Sequence, residues 1–277
     1  MYFDGKIVVV TGAASGIGLE IARAFARRGA DLALADINEE GLLAVKEELG
    51  SQGCKVYAQV VDVSQAQQVK DFCDRVYEEM GRVDILCNNA GIAIGGEIKD
   101  MTLDDWESLV GVILWGVIYG CHYFYPRMIE QGGGGHIVNT SSIGGLAPFP
   151  RMAAYCSCKF GVVGLSETLR AEAALHGIGV SVICPGFVAT SMVKAGRVIS
   201  GSKRSTADQH LMAADKVLML RNYPPSRVGE AVVKAVERNR GVVTVTPEAY
   251  LIDFSYRFSR RIYGALIGGA SKVMSKL

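Results

Sequence analysis

The sequence has no excess of either charge. Lysine and arginine number 29 against 28 aspartates and glutamates, a formal net charge of +1. So even a balance offers no basic surface for nucleic acid, which is not expected as a partner. There is no disulfide framework either. The seven cysteines, at 54, 73, 87, 121, 156, 158 and 184, are odd in number, and several lie in apolar runs. That pattern belongs to a reduced chain. Cys156 and Cys158 are one residue apart, yet no cysteine or histidine partners recur at ligand spacing. No metal is therefore expected, and both read as helix residues. The first apolar run begins almost at once, so no secretory leader is expected and a cytoplasmic setting is the simplest one. No internal repeat or long linker divides the chain.

What remains is a globular composition. Hydrophobic residues make up 49% of 277 positions and charged residues 21%, enough for one domain with a substantial core. Short apolar runs predict strands near 6–11, 31–35, 55–61, 83–88, 135–141, 179–184 and 241–246, with helices between them. Such alternation implies an α/β fold with a doubly wound parallel sheet of about seven strands, covered on both faces. Ligands then gather at the carboxyl ends of the strands. Residues 1–247 are expected to form this domain, and 248–277 a C-terminal extension.

The run Lys6 to Val10 breaks into Thr11-Gly12-Ala13-Ala14-Ser15-Gly16-Ile17-Gly18. Gly12 permits a tight turn, while Gly16 and Gly18 let a pyrophosphate and a packed helix approach the backbone. A helix from about Ile17 to Arg28 would aim its first N–H groups at the phosphates. Asp36 ends the next strand, eighteen residues beyond Gly18, near the offset of a ribose-binding carboxylate. Its charge repels a 2′-phosphate and no arginine is placed to offset it, so NAD is expected over NADP.

Tyr155 and Lys159 are four residues apart, and Ser142 lies thirteen before the tyrosine. Positions i and i+4 share one face of a helix, predicted here over Tyr155 to His176 with Phe160, Val163, Leu165, Leu169 and Leu175 among its apolar positions. A phenol with a pKa of about 10 is a poor base at neutrality, and lowering it to about 7 takes roughly 4 kcal/mol. One cation at about 4–5 Å supplies ~3–4 kcal/mol at an effective dielectric near 20. Lys159 is placed to be that cation, and an oxidised nicotinamide would add to it. A hydroxyl at Ser142 can steady a substrate oxygen as charge builds on it.

With Asn88-Asn89-Ala90-Gly91 and Pro185-Gly186, these motifs resemble the short-chain dehydrogenase/reductase family over roughly residues 4–247. The resemblance implies a Rossmann-type fold, a nicotinamide cofactor and hydride transfer at a C–OH/C=O centre. It makes Tyr155 the general acid/base, Lys159 the residue that lowers its pKa and holds the nicotinamide ribose, and Ser142 the group that orients the substrate oxygen. It places Asp62 and Val63 at the adenine, Asn89, Ala90 and Gly91 along the cofactor wall, and Pro185, Gly186, Val188 and Thr190 at the nicotinamide. Many relatives carry asparagine where this chain has Ile113. That asparagine is thought to hold a water serving the active-site lysine, so a rerouted relay in an active enzyme competes with an impaired NAD(H)-binding sensor or scaffold.

Residues 190–224 read as a helical flap. Their apolar content, with Ile94, Leu146, Phe149 and Phe187, suggests a lipophilic small-molecule substrate: steroid-like, cyclic or acyl. Arg197, Lys203 and Arg204 read as a solvated basic face. Leu109 to Pro126 contains no charged residue and borders on a membrane span in length. Its glycines favour instead a helix buried between the sheet and a partner subunit, and the resemblance supports a homodimer or homotetramer. In the extension, apolar spacing from Tyr250 to Ile267 alternates with basic residues. It can lie on an anionic membrane surface or pack on the pocket or a neighbouring subunit. Packing is the preferred reading, and Gly264, Gly268 and Gly269 argue against a strong independent helix.

Overall fold

The computed structural model describes residues 2–190, 197–199 and 223–274. Strands β1 (Ile7–Thr11), β2 (Asp31–Asp36), β3 (Val56–Val60), β4 (Ile85–Asn88), β6 (Gly135–Thr140), β7 (Ile178–Cys184) and β9 (Val242–Thr244) form one sheet in the order β3-β2-β1-β4-β6-β7-β9. All its pairings are parallel. The boundaries of the expected strands all fall within two residues of these. Parallel strands are buried on both faces, which is why β1 and β7 are apolar throughout or nearly so and fully buried.

Side chains alternate between two cores. On one face Val9, Leu86, Ile137 and Val182 meet Phe72, Phe124 and Val162 from helices α3 (Ala66–Met80), α5 (Gly116–Glu130) and α6 (Ala153–Ala173). On the other, Val8, Leu32, Ile85 and Val138 meet Ile21, Leu42 and Val232 from α1 (Gly16–Ala26), α2 (Glu39–Ser51) and α7 (Pro225–Glu237). Glycine sets how closely α7 approaches α1, since a Cβ on Gly229 would strike the Glu20 carbonyl. Strand order reverses between β1 and β4, and the crevice at that switch point is where an open α/β sheet takes its ligand.

Helix α4 (Leu103–Leu109) continues through a π-helical stretch, Val110–Trp115, into α5. Leu103–Glu130 is the one helical stretch among the described residues long and apolar enough to cross a membrane. However, Leu109, Ile113, Val117, Phe124 and Met128 are buried in the core, the spacing of a helix laid along a sheet. Its outer face shows Trp115, stacked on Tyr119 at 5.3 Å between ring centroids. The tail forms α8 (Pro247–Phe258) and α9 (Arg260–Met274). Ala249 and Tyr263 are buried, and the Tyr263 hydroxyl donates to the Pro148 carbonyl at 3.0 Å. The glycines of α9 therefore do not prevent a helix, because packing of its first turn holds it.

One feature was not foreseen and one expectation is corrected. A short parallel pair, β5 (Ile94–Gly96) with β8 (Arg197–Ile199), lies apart from the main sheet; three residues carry no periodicity to read. The apolar positions predicted for α6 divide: Val163 and Leu169 are buried, but Phe160 is 37% exposed, and Leu175, 85% exposed, lies in the 3-10 turn Ala174–His176 beyond the helix end. The inward stripe is Ala154, Cys158, Val162, Ser166, Leu169 and Ala173, on the opposite side of the helix from Phe160. Most of the expected flap at 190–224 lies outside the described residues.

Candidate active site

Gly12 and Gly16 have φ of 66° and 57°, a region open to glycine at little cost. The turn they make brings three segments together. A Cβ on Gly12 would lie 2.8 Å from the Cα of Ala90, and one on Gly18 would run into the Gly12 carbonyl and the Asn89 amide. A Cβ on Gly16 would meet Thr190 at 3.4 Å. The result is a bare backbone cradle leading into α1, with exposed Ser15 as its N-cap and half-buried Ile17 in the first turn. A cradle that any side chain would fill, at a helix start, fits a dinucleotide pyrophosphate.

Thr11 and Asn89 stitch the switch point. The Thr11 hydroxyl accepts the N–H groups of Asn89 and Ala90 at 2.9 and 3.1 Å, and the Asn89 amide donates back to the Thr11 carbonyl at 3.1 Å. Thr140, ending β6, donates to Asn89 Oδ1 at 3.4 Å. Gly91 follows on this wall, half-buried. At the end of β2 the Asp36 carboxylate accepts the N–H groups of Ala14 and Asn38, each at 2.9 Å. Both oxygens are thereby oriented, and each keeps acceptor capacity for a hydroxyl. After β3, Asp62 Oδ1 accepts the Ser64 N–H and hydroxyl at 2.9 and 2.7 Å, forming a turn into α3. Val63 is buried against Gly116 of α5.

Ser142 leaves β6 in extended conformation, and its Oγ accepts the Gly144 N–H at 3.2 Å. Tyr155 stands in the first turn of α6, close enough to Ser142 for that hydroxyl to favour its ionised form. Gly144 leaves room for the phenol, since a Cβ there would lie 3.2 Å from its ring. One turn on, Lys159 is buried, with Nζ 5.7 Å from the Tyr155 ring centroid. That nitrogen donates to the Thr140 carbonyl at 2.9 Å. In return the Ser141 hydroxyl donates to the Lys159 carbonyl at 2.9 Å. The structure therefore brings Ser142, Tyr155 and Lys159 together at the carboxyl end of β6.

Their electrostatics differ from expectation. Burial pushes the Tyr155 phenol up, to about 12, against the opposing pull of the Ser142 hydroxyl. Burial likewise lowers the Lys159 ammonium to about 8. Desolvation disfavours the charged form of each, and the lysine faces a backbone carbonyl. Burial of both groups thus opposes the pull of Lys159 on the phenol, and a cationic ligand against Tyr155 would add to that pull.

Beyond β7, the Pro185 carbonyl accepts the Ile143 N–H at 2.7 Å. Gly186 lies where Thr246 and Glu248 crowd the backbone, so that a Cβ would strike the Thr246 hydroxyl. The Phe187 N–H donates to Glu248 Oε1 at 3.1 Å, and Val188 is buried against the second core. Sequence reasoning did not find Thr11, Thr140 or Glu248 as supports of the site. The glycine after Pro185 was the available sign that another group comes close there.

A family model described as short chain dehydrogenase matches residues 6–198. The chain is 40% identical over 266 residues to a probable oxidoreductase, EphD, of Mycobacterium tuberculosis, covering 96% of this chain but 44% of that protein. It thus spans less than half the length of that relative. It is 33% identical to a putative oxidoreductase, SadH, of the same species, covering 96% of this chain and 95% of the other. Among solved structures, a short chain dehydrogenase/reductase of Burkholderia phymatum in complex with NAD matches with a TM-score of 0.84 and 32% identity, covering 95% of this chain and 96% of that one. The chain belongs to the short-chain dehydrogenase/reductase family of oxidoreductases.

Proposed function

We propose that this short-chain dehydrogenase/reductase interconverts a lipophilic secondary alcohol and its ketone with NAD(H). The observation that carries the reading is the convergence of Ser142, Tyr155 and Lys159 beside the glycine cradle, on a buried ammonium that donates to Thr140 at 2.9 Å. When bound, a nicotinamide dinucleotide supplies the hydride donor or acceptor and, oxidised, a positive charge. Gly12, Ser15, Gly16, Ile17 and Gly18 would hold its pyrophosphate, Asp36 the adenosine ribose, and Asp62 and Val63 the adenine. Asn89, Ala90 and Gly91 would line its wall, Lys159 and Tyr155 its second ribose, and Pro185, Gly186, Val188 and Thr190 its nicotinamide end.

In this reading Ser142 Oγ holds the substrate oxygen and Tyr155 Oη exchanges a proton with it. For reduction the protonated phenol is already the dominant form. For oxidation the phenolate is needed, and a site that raises its pKa by burial requires a cation against it. Lys159, poised near 8, can give or take a proton close to neutrality. Asp36 favours NAD because a carboxylate fixed by two N–H groups cannot swing away from a 2′-phosphate. The 44%-exposed Phe187 supports an apolar substrate side, whereas Ile94 and Leu146 are buried in the first core and Phe149 packs against it.

A second reading, a dinucleotide-binding sensor without useful turnover, rests on Ile113. That side chain is buried in the π-helical stretch and can neither donate nor accept a hydrogen bond. Following NADH and NADPH formation across cyclic, steroidal and small polyol alcohols separates these readings. Turnover of apolar alcohols with NAD is expected. Saturable NADH binding without turnover of any alcohol would favour the sensor, and preferential oxidation of polyols would refute the lipophilic assignment.

A further inference from the structure

The outer face of the C-terminal helices is apolar and aromatic. Tyr250, Leu251, Phe254 and Phe258 on α8 and Ile262 on α9 are all between 56% and 74% exposed. On α8 the four fall within about 100° of arc, and the rings of Phe254 and Phe258 stack at 6.0 Å between centroids. Large side chains this open normally belong in a core, and a contiguous group of them marks an interaction surface.

The opposite side of the same helices is fastened to the domain. Ala249 is buried and Ile252 packs on the first core. Glu248 holds the Phe187 N–H, and Tyr263 holds the Pro148 carbonyl. The stripe is thus presented by a tail tied to two loops that bound the substrate side. Its flanks are basic. Residues 247–277 contain Arg257, Arg260, Arg261, Lys272 and Lys276 against Glu248 and Asp253, so the positive excess of an otherwise balanced chain is concentrated here. Glu248 is turned inward to Phe187, Asp253 pairs with Arg257 at 2.7 Å, and Arg260 lies over the Tyr256 ring at 5.4 Å.

We infer that this stripe docks on an anionic membrane surface. The aromatic and aliphatic side chains enter the headgroup boundary while Arg260 and Arg261 meet acidic lipids. The charge of the flank favours that occupant over a second copy of this chain, whose stripe would bring the same positive charge to the contact. Docking does not depend on the reaction assigned above. It places the Phe149 and Phe187 loops near the surface from which an apolar substrate would come.

The test is co-sedimentation of the full chain with phosphatidylcholine vesicles, with and without roughly one-third phosphatidylserine. The chain is expected on the phosphatidylserine vesicles. Binding should fall about tenfold in Phe254→Ser/Phe258→Ser and severalfold in Arg260→Gln/Arg261→Gln or at high salt. The melting temperature and the oxidation of a soluble alcohol should stay unchanged. If the phenylalanine variant melts early, Tyr250→Ser/Leu251→Ser makes the same comparison. Failure of the full chain to bind, or equal binding by a natively melting stripe variant, would overturn the inference. So would an oligomer that dissociates in the stripe variants without any vesicle binding, which would give the stripe to a second copy.

Discussion

The two ends of the sheet hold buried polar groups in opposite ways. At the amino end of β4, Asp84 is saturated: it accepts the Ile7 N–H at 3.0 Å and pairs with Lys6 and Arg82 at 3.1 and 2.8 Å. Nearby His136 shares a 2.8 Å hydrogen bond with Ser181, whose hydroxyl also bonds the Arg240 carbonyl. Burial beside Arg170 lowers His136 to about 4, so it is neutral. At the carboxyl end, Asp36, Ser142 and Lys159 are also oriented by hydrogen bonds, but to backbone groups. Their orientation is fixed while capacity remains for a ligand. One end closes on itself and holds the fold; the other keeps acceptor and donor capacity at the proposed site.

The contrast breaks most visibly at Tyr155. Tyr155→Phe should cut alcohol oxidation on the order of 10³-fold and leave the melting temperature and NADH affinity nearly unchanged; steady-state kinetics with a fluorescence titration of NADH checks this. At the other end the readout is stability. His136 is protonated more readily when unfolded, so the unfolded chain binds more protons between about 6.5 and about 4. Stability should fall as pH drops through that window, by a few kcal/mol in all. His136→Gln, compared by denaturant melts across pH, should flatten that dependence and leave activity near neutrality intact.

Smaller effects sharpen the comparison. Asp36→Ala should shift the NAD/NADP preference by about 10–100-fold, roughly 1.4–2.8 kcal/mol, as measured by kcat/KM with each cofactor; an unchanged ratio would show that the ribose lies elsewhere. Asp84→Asn should lower stability by ~1–2 kcal/mol, since it strips charge from a buried carboxylate held by two cations. Its kcat should not change, and a loss of kcat would dissolve the division between the two ends.

What could be read from the sequence follows the same division of causes. The strands, the glycine turn, Asp36 and the Ser142, Tyr155 and Lys159 set are written in local spacing, by period and by offset along the chain. Contacts made between distant segments leave no such mark. The Phe187 N–H meets Glu248 across 61 residues, Lys159 finds the Thr140 carbonyl across 19, and β5 pairs with β8 across about a hundred. The upward shift of Tyr155 in the protein without a ligand is hidden from the sequence for a related reason. Spacing shows that a lysine is near, but only the fold shows that both groups are desolvated and that the lysine faces a carbonyl.

The central claim is that the Tyr155 phenol stays un-ionised in the free protein and becomes a base only when a cationic cofactor lies against it. Phenolate absorbance of the wild type minus Tyr155→Phe, titrated with and without NAD, tests this directly. The free protein should show no Tyr155 ionisation up to about pH 10, and saturating NAD should bring its midpoint down to roughly 7–8. A midpoint already near neutrality without NAD, or one that NAD leaves unmoved, would contradict the account.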